Sequence, residues 1–328
     1  MNIIVTGSAG FIGSHLCEEL IKNGHYVIGI DNLSNGQLKN MDSFFNSSNF
    51  TFYKEDINSI NNIDISKIKI DAFFHLAALA DIVPSIEDPM TYHNSNVSGT
   101  ISTLEFCRQN KIKRYLYTAS SSCYGLPDIY PTSENQKIDC QYPYALTKYL
   151  GEQYAFAYSK YYDLEITSLR LFNVFGPRSR TNGTYGAVFG VFLAQKINNK
   201  PFTVIGNGTQ CRDFTYVTDV VSAFTTCLKN NNSIGNIYNV GSGNTYSINN
   251  LVELLGGDVI YIPKRPGEPD KTFANINKIQ DELNWAPKIP FEDGVKNMLL
   301  HIDYWKDAPI WESDSIKEAT KTWFKYLK

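Results

Sequence analysis

The feature that most constrains the fold is a glycine-rich turn that joins a short apolar run to an amphipathic stretch near the N-terminus. The turn reads Thr6-Gly7-Ser8-Ala9-Gly10-Phe11-Ile12-Gly13. It follows a strand-like run at 3–6 and opens a helical pattern at 11–23. Glycines at such a junction let the backbone approach a pyrophosphate, and the helix N-terminus offers free N–H groups to the anion. The segment therefore predicts a dinucleotide-binding strand–turn–helix unit, with Gly7, Gly10, Phe11, Ile12 and Gly13 at the cofactor.

Short β-branched or aromatic runs alternate with helical patterns through the first half of the chain. Strands are predicted at 3–6, 25–30, 50–54, 72–76, 114–118 and 165–169, and helices at 11–23, 96–109 and 143–162. This alternation predicts an α/β fold with a Rossmann-type, doubly wound parallel sheet. Helical patterns at 187–198, 217–229 and 249–255 among short strands predict a smaller C-terminal α/β substrate domain. We expect residues 1–172 to form the dinucleotide-binding domain, to which the segment 216–241 also belongs, and residues 173–328 to form the substrate domain.

Charge and cysteine usage exclude several classes of protein. The formal net charge of -3 gives no basic field suited to nucleic acid. No apolar run approaches the roughly 20 residues of a membrane helix, and no signal peptide precedes the first strand, so we expect a cytoplasmic protein. None of the six cysteines forms a Cys-x-x-Cys pair or lies at ligand spacing from a histidine, so we expect neither a disulfide nor a metal.

An aspartate after the second predicted strand indicates which dinucleotide is bound. Asp31 follows Gly13 by 18 residues and precedes Asn32. A carboxylate there can accept hydrogen bonds from ribose hydroxyls and would repel a 2′-phosphate, which favours NAD over NADP. A structural aspartate of a turn is the alternative. We place both Asp31 and Asn32 at the cofactor.

The glycine spacing, together with later segments, resembles the extended short-chain dehydrogenases/reductases. Glu55-Asp56-Ile57 is similar to the element that this family places near adenine, and His75-Leu76-Ala77-Ala78 to its strand end beside the cofactor. Asn96 lies in a helix that resembles the family's structural-asparagine helix. The resemblance implies that Asp56, Ile57, Leu76, Ala77, Ala78 and Asn96 belong to the NAD site.

A tyrosine and a lysine four residues apart resemble the family's YxxxK element. On a helix, Tyr144 and Lys148 share one face. Tyrosine has a pKa of about 10 in solution, so it is a poor base at neutral pH. A nearby ammonium, with the positive nicotinamide ring of NAD+, favours the phenolate, which can take a proton from a sugar hydroxyl as hydride leaves. An ordinary helical surface pair is the alternative.

A serine-rich strand end supplies the third catalytic candidate. Ser120 stands four residues before Tyr124, where the resemblance implies the catalytic hydroxyl, although Ser121 or Ser122 could take the role. Relatives that dehydrate or decarboxylate sugars carry carboxylates next to this hydroxyl. Ser121 and Ser122 cannot act as carboxylates, which leaves epimerisation or simple oxidoreduction.

Three further segments resemble the nucleotide-sugar motifs of the family, closest to the UDP-sugar 4-epimerases. The resemblance implies that Asn173, Arg212 and Arg265 contact the substrate diphosphate, for which forked guanidinium donors are well suited. Thr272 matches a gate position, where a small residue leaves room for acetamido sugars; a strand threonine without effect on selectivity is the alternative.

The resemblance implies a sugar-nucleotide 4-epimerase that retains NAD, acts on a UDP-sugar and forms a homodimer. Another sugar-nucleotide oxidoreductase, an enzyme of GDP- or CDP-sugars, and a non-catalytic NAD-sensing regulator stay open. The tail from residue 301 onward alternates charged and aromatic residues, which predicts one or two helices packed on the substrate domain.

Overall fold

The computed structural model describes residues 1–181 and 187–327. The strands are β1 (Asn2–Thr6), β2 (Tyr26–Ile30), β3 (Phe50–Tyr53), β4 (Ala72–His75), β5 (Arg114–Ser120), β6 (Glu165–Leu171), β7 (Val174–Phe175), β8 (Phe202–Ile205), β9 (Cys211–Arg212), β10 (Thr215–Tyr216), β11 (Asn236–Val240), β12 (Tyr246–Ser247) and β13 (Val259–Ile262). The helices are α1 (Phe11–Lys22), α2 (Ile82–Glu87), α3 (Pro89–His93), α4 (Gly99–Gln109), α5 (Pro143–Tyr162), α6 (Val188–Ile197), α7 (Val217–Lys229), α8 (Ile248–Leu255), α9 (Asn277–Leu283), α10 (Phe291–Leu300), α11 (Ser313–Ala319) and α12 (Lys321–Tyr326).

Seven strands form one parallel sheet, which confirms the predicted fold class. The spatial order is β11-β6-β5-β4-β1-β2-β3, with β11 paired to β6 in parallel. The order reverses beside β1, because the chain runs outward through β2 and β3 and then crosses back to β4. In open parallel sheets, ligands bind at the carboxyl ends of the strands at such a switch point. Thr6 and His75 are register partners at this edge.

Both faces of the sheet are buried, as its sequence of near-continuous apolar strands requires. Neighbouring residues in one strand face opposite sides. In β4, Phe74 packs in a core cluster with α1 and α7, whereas Phe73 packs in another cluster with α4 and α5. The first cluster also contains Ile279 and Trp285 from the C-terminal half of the chain.

A third core cluster lies in the second half of the chain. It is built around stacked aromatic rings, including Phe175, Phe189, Phe214 and Phe291. Three two-stranded sheets, β7–β10, β8–β13 and β9–β12, belong to this part. The expected tail helices are present as α11 and α12, and Lys328 lies outside the described residues.

Helix α4 begins later than predicted, at Gly99, because residues Asn94–Ser98 before it form a π-helical turn. Among the residues described, no helix combines the length and apolar character needed to cross a bilayer. Across the same ranges, no three His, Cys, Asp or Glu side chains are grouped as metal ligands. The six cysteines are free thiols.

Candidate active site

A cleft of about 750 Å³ opens at the switch point of the sheet. Its wall combines the glycine turn, the ends of β4 and β5, the start of α5 and segments from the second half of the chain. The cleft therefore joins the predicted cofactor residues to the predicted substrate residues in one continuous space.

The glycine turn is packed so closely that it has no room for a side chain at Gly7 or Gly13, and Gly7, Gly10, Phe11, Ile12 and Gly13 all line the cleft. Gly7 has a φ of 70°, and a Cβ there would lie 2.8 Å from the backbone nitrogen of Ala77. A Cβ on Gly13 would lie 2.0 Å from the carbonyl oxygen of Gly7. Helix α1 starts after Gly10 with no side chain capping its N-terminus. The free N–H groups of its first turn can therefore bind the pyrophosphate of a dinucleotide, so the residues present fit this group.

Asp31 holds the glycine turn as well as lining the cleft. Its carboxylate accepts hydrogen bonds from the backbone N–H of Ala9 at 3.0 Å and of Leu33 at 2.8 Å. Burial raises its pKa, and these two hydrogen bonds oppose the rise. Asn32 donates to the carboxylate of Asp56 at 2.7 Å, and both of these side chains line the cleft. Ile57 lines it too.

The end of β4 lies opposite the turn. Leu76 and Ala77 donate their backbone N–H groups to Thr6 Oγ1, each at 3.2 Å, and both residues line the cleft together with Ala78. His75 does not reach the cleft. It is buried between the hydroxyls of Thr6 and Thr100, and burial holds its pKa well below the usual range.

Asn96 lies behind the cleft and does not line it. Its Oδ1 accepts from the backbone N–H of Leu79 at 2.8 Å, and its Nδ2 donates to the Leu79 carbonyl at 2.9 Å and to Thr147 Oγ1 at 3.0 Å. The amide is thereby used in joining the loop after β4 to α5. The predicted cofactor contact of Asn96 stays a prediction, and its observed hydrogen bonds give it a role in positioning elements of the site.

Ser120, Ser122 and Tyr144 come together at the centre of the cleft. The hydroxyls of Ser120 and Ser122 lie 2.8 Å apart. Burial raises the pKa of Tyr144, and hydrogen bonds from Ser120 and from Ser122 oppose the rise. Both serines therefore reach the phenol, while Ser121 lines the cleft beside them.

In the protein without a dinucleotide, burial is the main influence on the pKa of both Tyr144 and Lys148. Lys148 is 5% exposed, and its Nζ lies 4.6 Å from the centroid of the Tyr117 ring. Burial lowers the pKa of Lys148 to about 7, and Glu152 opposes this fall. The pKa of Tyr144 is raised, with burial as the main cause. Desolvation disfavours the charged form of each group, whereas the positive nicotinamide ring of a bound dinucleotide would favour the phenolate.

Helix α5 is fixed on the sheet by a buried ion pair and a close glycine contact. Arg170 Nη2 donates to Glu152 Oε1 at 2.5 Å, and Ser168 Oγ donates to Glu152 Oε2 at 2.7 Å. A Cβ on Gly151 would lie 2.2 Å from the hydroxyl oxygen of Tyr117. These contacts set the height of Tyr144 and Lys148 above the sheet.

The predicted diphosphate residues Asn173, Arg212 and Arg265 also line the cleft. Arg212 pairs with Glu268 at 2.8 Å, and Arg265 approaches the same carboxylate at 3.9 Å. Thr272 Oγ1 donates to Asn173 Oδ1 at 2.6 Å. Sequence reasoning missed Glu268, although it stands inside the segment that carries Arg265.

Two further parts of the cleft were not predicted from the sequence. Asp81 after β4 forms an ion pair with Arg180, and Asp81 also contributes to the raised pKa of Tyr144. Trp311 and Trp323 from the tail line the cleft. No local pattern in the sequence connects these residues to the site.

Comparison with known proteins agrees with this geometry. A family model described as GDP-mannose 4,6 dehydratase matches residues 4–298. The uncharacterized UDP-glucose epimerase of Bacillus subtilis is 34% identical and covers 92% of this chain and 98% of its own length. UDP-glucuronic acid 4-epimerase from Bacillus cereus, in complex with UDP-glucuronic acid and NAD, has a TM-score of 0.84 at 34% identity, covering 92% of this chain and 99% of that chain. UDP-glucose 4-epimerase with UDP-glucose from Thermotoga maritima has a TM-score of 0.85 at 31% identity, covering 94% and 99%.

The parallel sheet and the serine–tyrosine–lysine cleft define an enzyme of the short-chain dehydrogenase/reductase class. The matches extend over most of the chain. The chain belongs to the family of NAD-dependent sugar-nucleotide epimerases and dehydratases.

Proposed function

We propose that this protein is an NAD-dependent UDP-hexose 4-epimerase. The observation that carries the proposal is the meeting of Ser120 and Tyr144 at the switch point, in a cleft that continues to Arg212 and Arg265. That arrangement supports a reacting sugar at one end and a nucleotide diphosphate at the other.

In the proposed reaction, Tyr144 accepts the proton of the 4-hydroxyl, and Ser120 or Ser122 donates a hydrogen bond to the same sugar oxygen. Bound NAD+ supplies a hydride acceptor and a positive charge beside Tyr144. Lys148, on the same face of α5, adds positive charge when it is protonated. Return of the proton and hydride after the 4-keto sugar has turned in the cleft inverts carbon 4. Neither Ser121 nor Ser122 can act as the carboxylate that dehydration requires next to Ser120.

Charge in the cleft supports a neutral hexose over a uronic acid. Arg180 lies in the cleft, but Asp81 neutralises its guanidinium. The same carboxylate acts on Tyr144, so it lies near the reacting sugar. The pair therefore offers no uncompensated positive charge that would bind the carboxylate of a uronic acid. Thr272 is small and lines the cleft, which supports the acceptance of UDP-N-acetylhexosamines as well.

The test is to incubate the purified protein with UDP-glucose or UDP-galactose without added NAD, and to separate the products by chromatography. An epimerase interconverts the two sugars with no gain in NADH absorbance, whereas a net dehydrogenase accumulates NADH. UDP-glucuronate, UDP-N-acetylglucosamine, GDP-sugars and CDP-sugars complete the panel. Conversion of none of the UDP-hexoses by a folded, NAD-loaded protein would sink the proposal.

A matched pair of tyrosine variants separates a catalyst from a regulator. Tyr144→Phe is expected to lower kcat by about 10²- to 10⁴-fold, the range for loss of a general base. Tyr162→Phe changes an exposed ring on the same helix and should leave kcat unchanged. Equal activity of Tyr144→Phe and wild type would overturn the mechanism.

We also propose a homodimer through the outer face of α5. Leu146, Tyr154 and Tyr161 are exposed, and their spacing of eight and seven residues places them on one side of the helix. Multi-angle light scattering tests this, and a monomer at micromolar concentration would contradict it.

We propose to divide the chain as the sequence suggests. Residues 1–172 and 216–241 form the NAD-binding domain, supported by the pairing of β11 with β6. The core contacts of Ile279 and Trp285 support adding residues 274–285 to that domain. The rest of 173–328 forms the substrate domain.

A further inference from the structure

The C-terminal helix α12 bridges the two sides of the cleft. It packs against α2, where Thr322 Oγ1 donates to Glu87 Oε1 at 2.8 Å. Its other contact is with the turn that carries Arg265. Trp323 Nε1 donates to the Pro266 carbonyl at 2.6 Å, and Leu327 packs against Gly267.

Within this contact, the ring of Trp323 supports the guanidinium of Arg265. The guanidinium carbon lies 5.2 Å from the ring centroid, inside the range of a cation–π interaction. Both side chains are largely buried, at 5% and 9% exposed, and both line the cleft. An arginine stem has several rotatable bonds, and ordering it costs conformational entropy. A fixed aromatic face lowers that cost at the moment of binding.

We propose that Trp323 is a positioning residue for the substrate diphosphate, which acts by holding Arg265 in its binding orientation. The inference rests on the proposed function, because it takes Arg265 as a diphosphate ligand. In this protein the tail is then part of the substrate site, and its packing serves binding.

Trp323→Leu keeps an apolar side chain but removes the π face. We expect it to weaken UDP binding, measured by calorimetry on the full-length protein, by about tenfold, or about 1.4 kcal/mol. The KM for UDP-glucose should rise by a similar factor, while kcat changes by less than about twofold. Trp323→Phe keeps an aromatic face and should recover most of the affinity. Phe324→Leu, at an exposed ring of the same helix, should bind UDP like wild type.

A double-mutant cycle distinguishes positioning from direct contact. If Trp323 acts through Arg265, then Trp323→Leu in an Arg265→Gln background should cost no further UDP affinity. Additive losses would show that the ring contacts the nucleotide independently and would overturn the inference. Unfolding midpoints of all variants are compared by circular dichroism, and Trp323→Phe reports on the interaction if Trp323→Leu is poorly folded.

The two proposals fail in different ways. A wild-type protein that binds UDP but converts no UDP-hexose would end the proposed function and leave the positioning role intact. A Trp323→Leu variant that is folded and binds UDP as tightly as wild type would end the positioning role and leave the function intact.

Discussion

Loss of the carboxylate that anchors α5 should destabilise the protein and disturb the catalytic lysine together. Glu152 is 1% exposed and neutralises Arg170, which is 3% exposed. Glu152→Gln keeps the shape of the side chain but removes its charge. Arg170 then stays buried without a counter-ion. Glu152 also holds the pKa of Lys148 up against burial, so its loss should lower that pKa further.

The magnitude follows from the burial of the pair. Breaking a buried ion pair by removing one partner costs about 3–5 kcal/mol, because an uncompensated charge remains. Unfolding entropy of about 2.1 cal/mol/K per residue gives about 0.7 kcal/mol per degree for a chain of this length. The melting temperature should therefore fall by about 4–7 °C.

Differential scanning calorimetry at neutral pH measures the shift, with Glu105→Gln as the matched control. Glu105 pairs with Arg108 at 2.7 Å on the surface, where solvent screens the interaction, so this variant should melt close to wild type. If the Glu152→Gln variant has the same melting temperature as the Glu105→Gln variant, the reasoning that the buried ion pair stabilises the packing of α5 is refuted.

Three other perturbations test the site. Asp81→Asn removes a negative charge that, together with burial, raises the pKa of Tyr144. Its loss should lower that pKa and move the rising limb of the pH profile of kcat/KM to lower pH. An unchanged profile would count against Tyr144 as the group that titrates in this limb. Gly13→Ala places a Cβ 2.0 Å from the Gly7 carbonyl oxygen, so the purified protein should retain much less NAD. The retained NAD is measured by absorbance after denaturation, and full retention would contradict the predicted binding of NAD by the glycine turn. Thr272→Tyr should lower kcat/KM for UDP-N-acetylglucosamine relative to UDP-glucose by about tenfold or more. A wild-type enzyme active on UDP-glucose alone would disprove the gate.

Local signals predicted the elements that carry the site. Helix α5 begins and ends at the predicted residues, because Pro143 is pre-set for a first turn and Asp163 adopts a left-handed conformation with a φ of 58°. The six predicted strands of the sheet were found with ends that differ by no more than two residues. Strong hydrophobic runs and turn residues determine such elements before any long-range contact forms.

Local sequence patterns could not predict the contacts between residues that are far apart in the chain. Asp81 and Arg180 are 99 residues apart, and neither stands in a motif. The tail pattern showed which residues are apolar, but not that Trp311 and Trp323 would face the cleft. The two-residue strands of the second half, such as β7, are too short for periodicity to identify.

Burial has the largest effect on the pKa of Tyr144, and the sequence could not reveal this effect. The spacing of Tyr144 and Lys148 places them on one face of α5, but it does not show how far each side chain is buried. In the folded chain, desolvation raises the pKa of the phenol and lowers the pKa of the ammonium to about 7. Groups of the protein alone therefore keep Tyr144 protonated at neutral pH. A dinucleotide bound with its positive nicotinamide ring beside Tyr144 would favour the phenolate and so oppose this effect of burial.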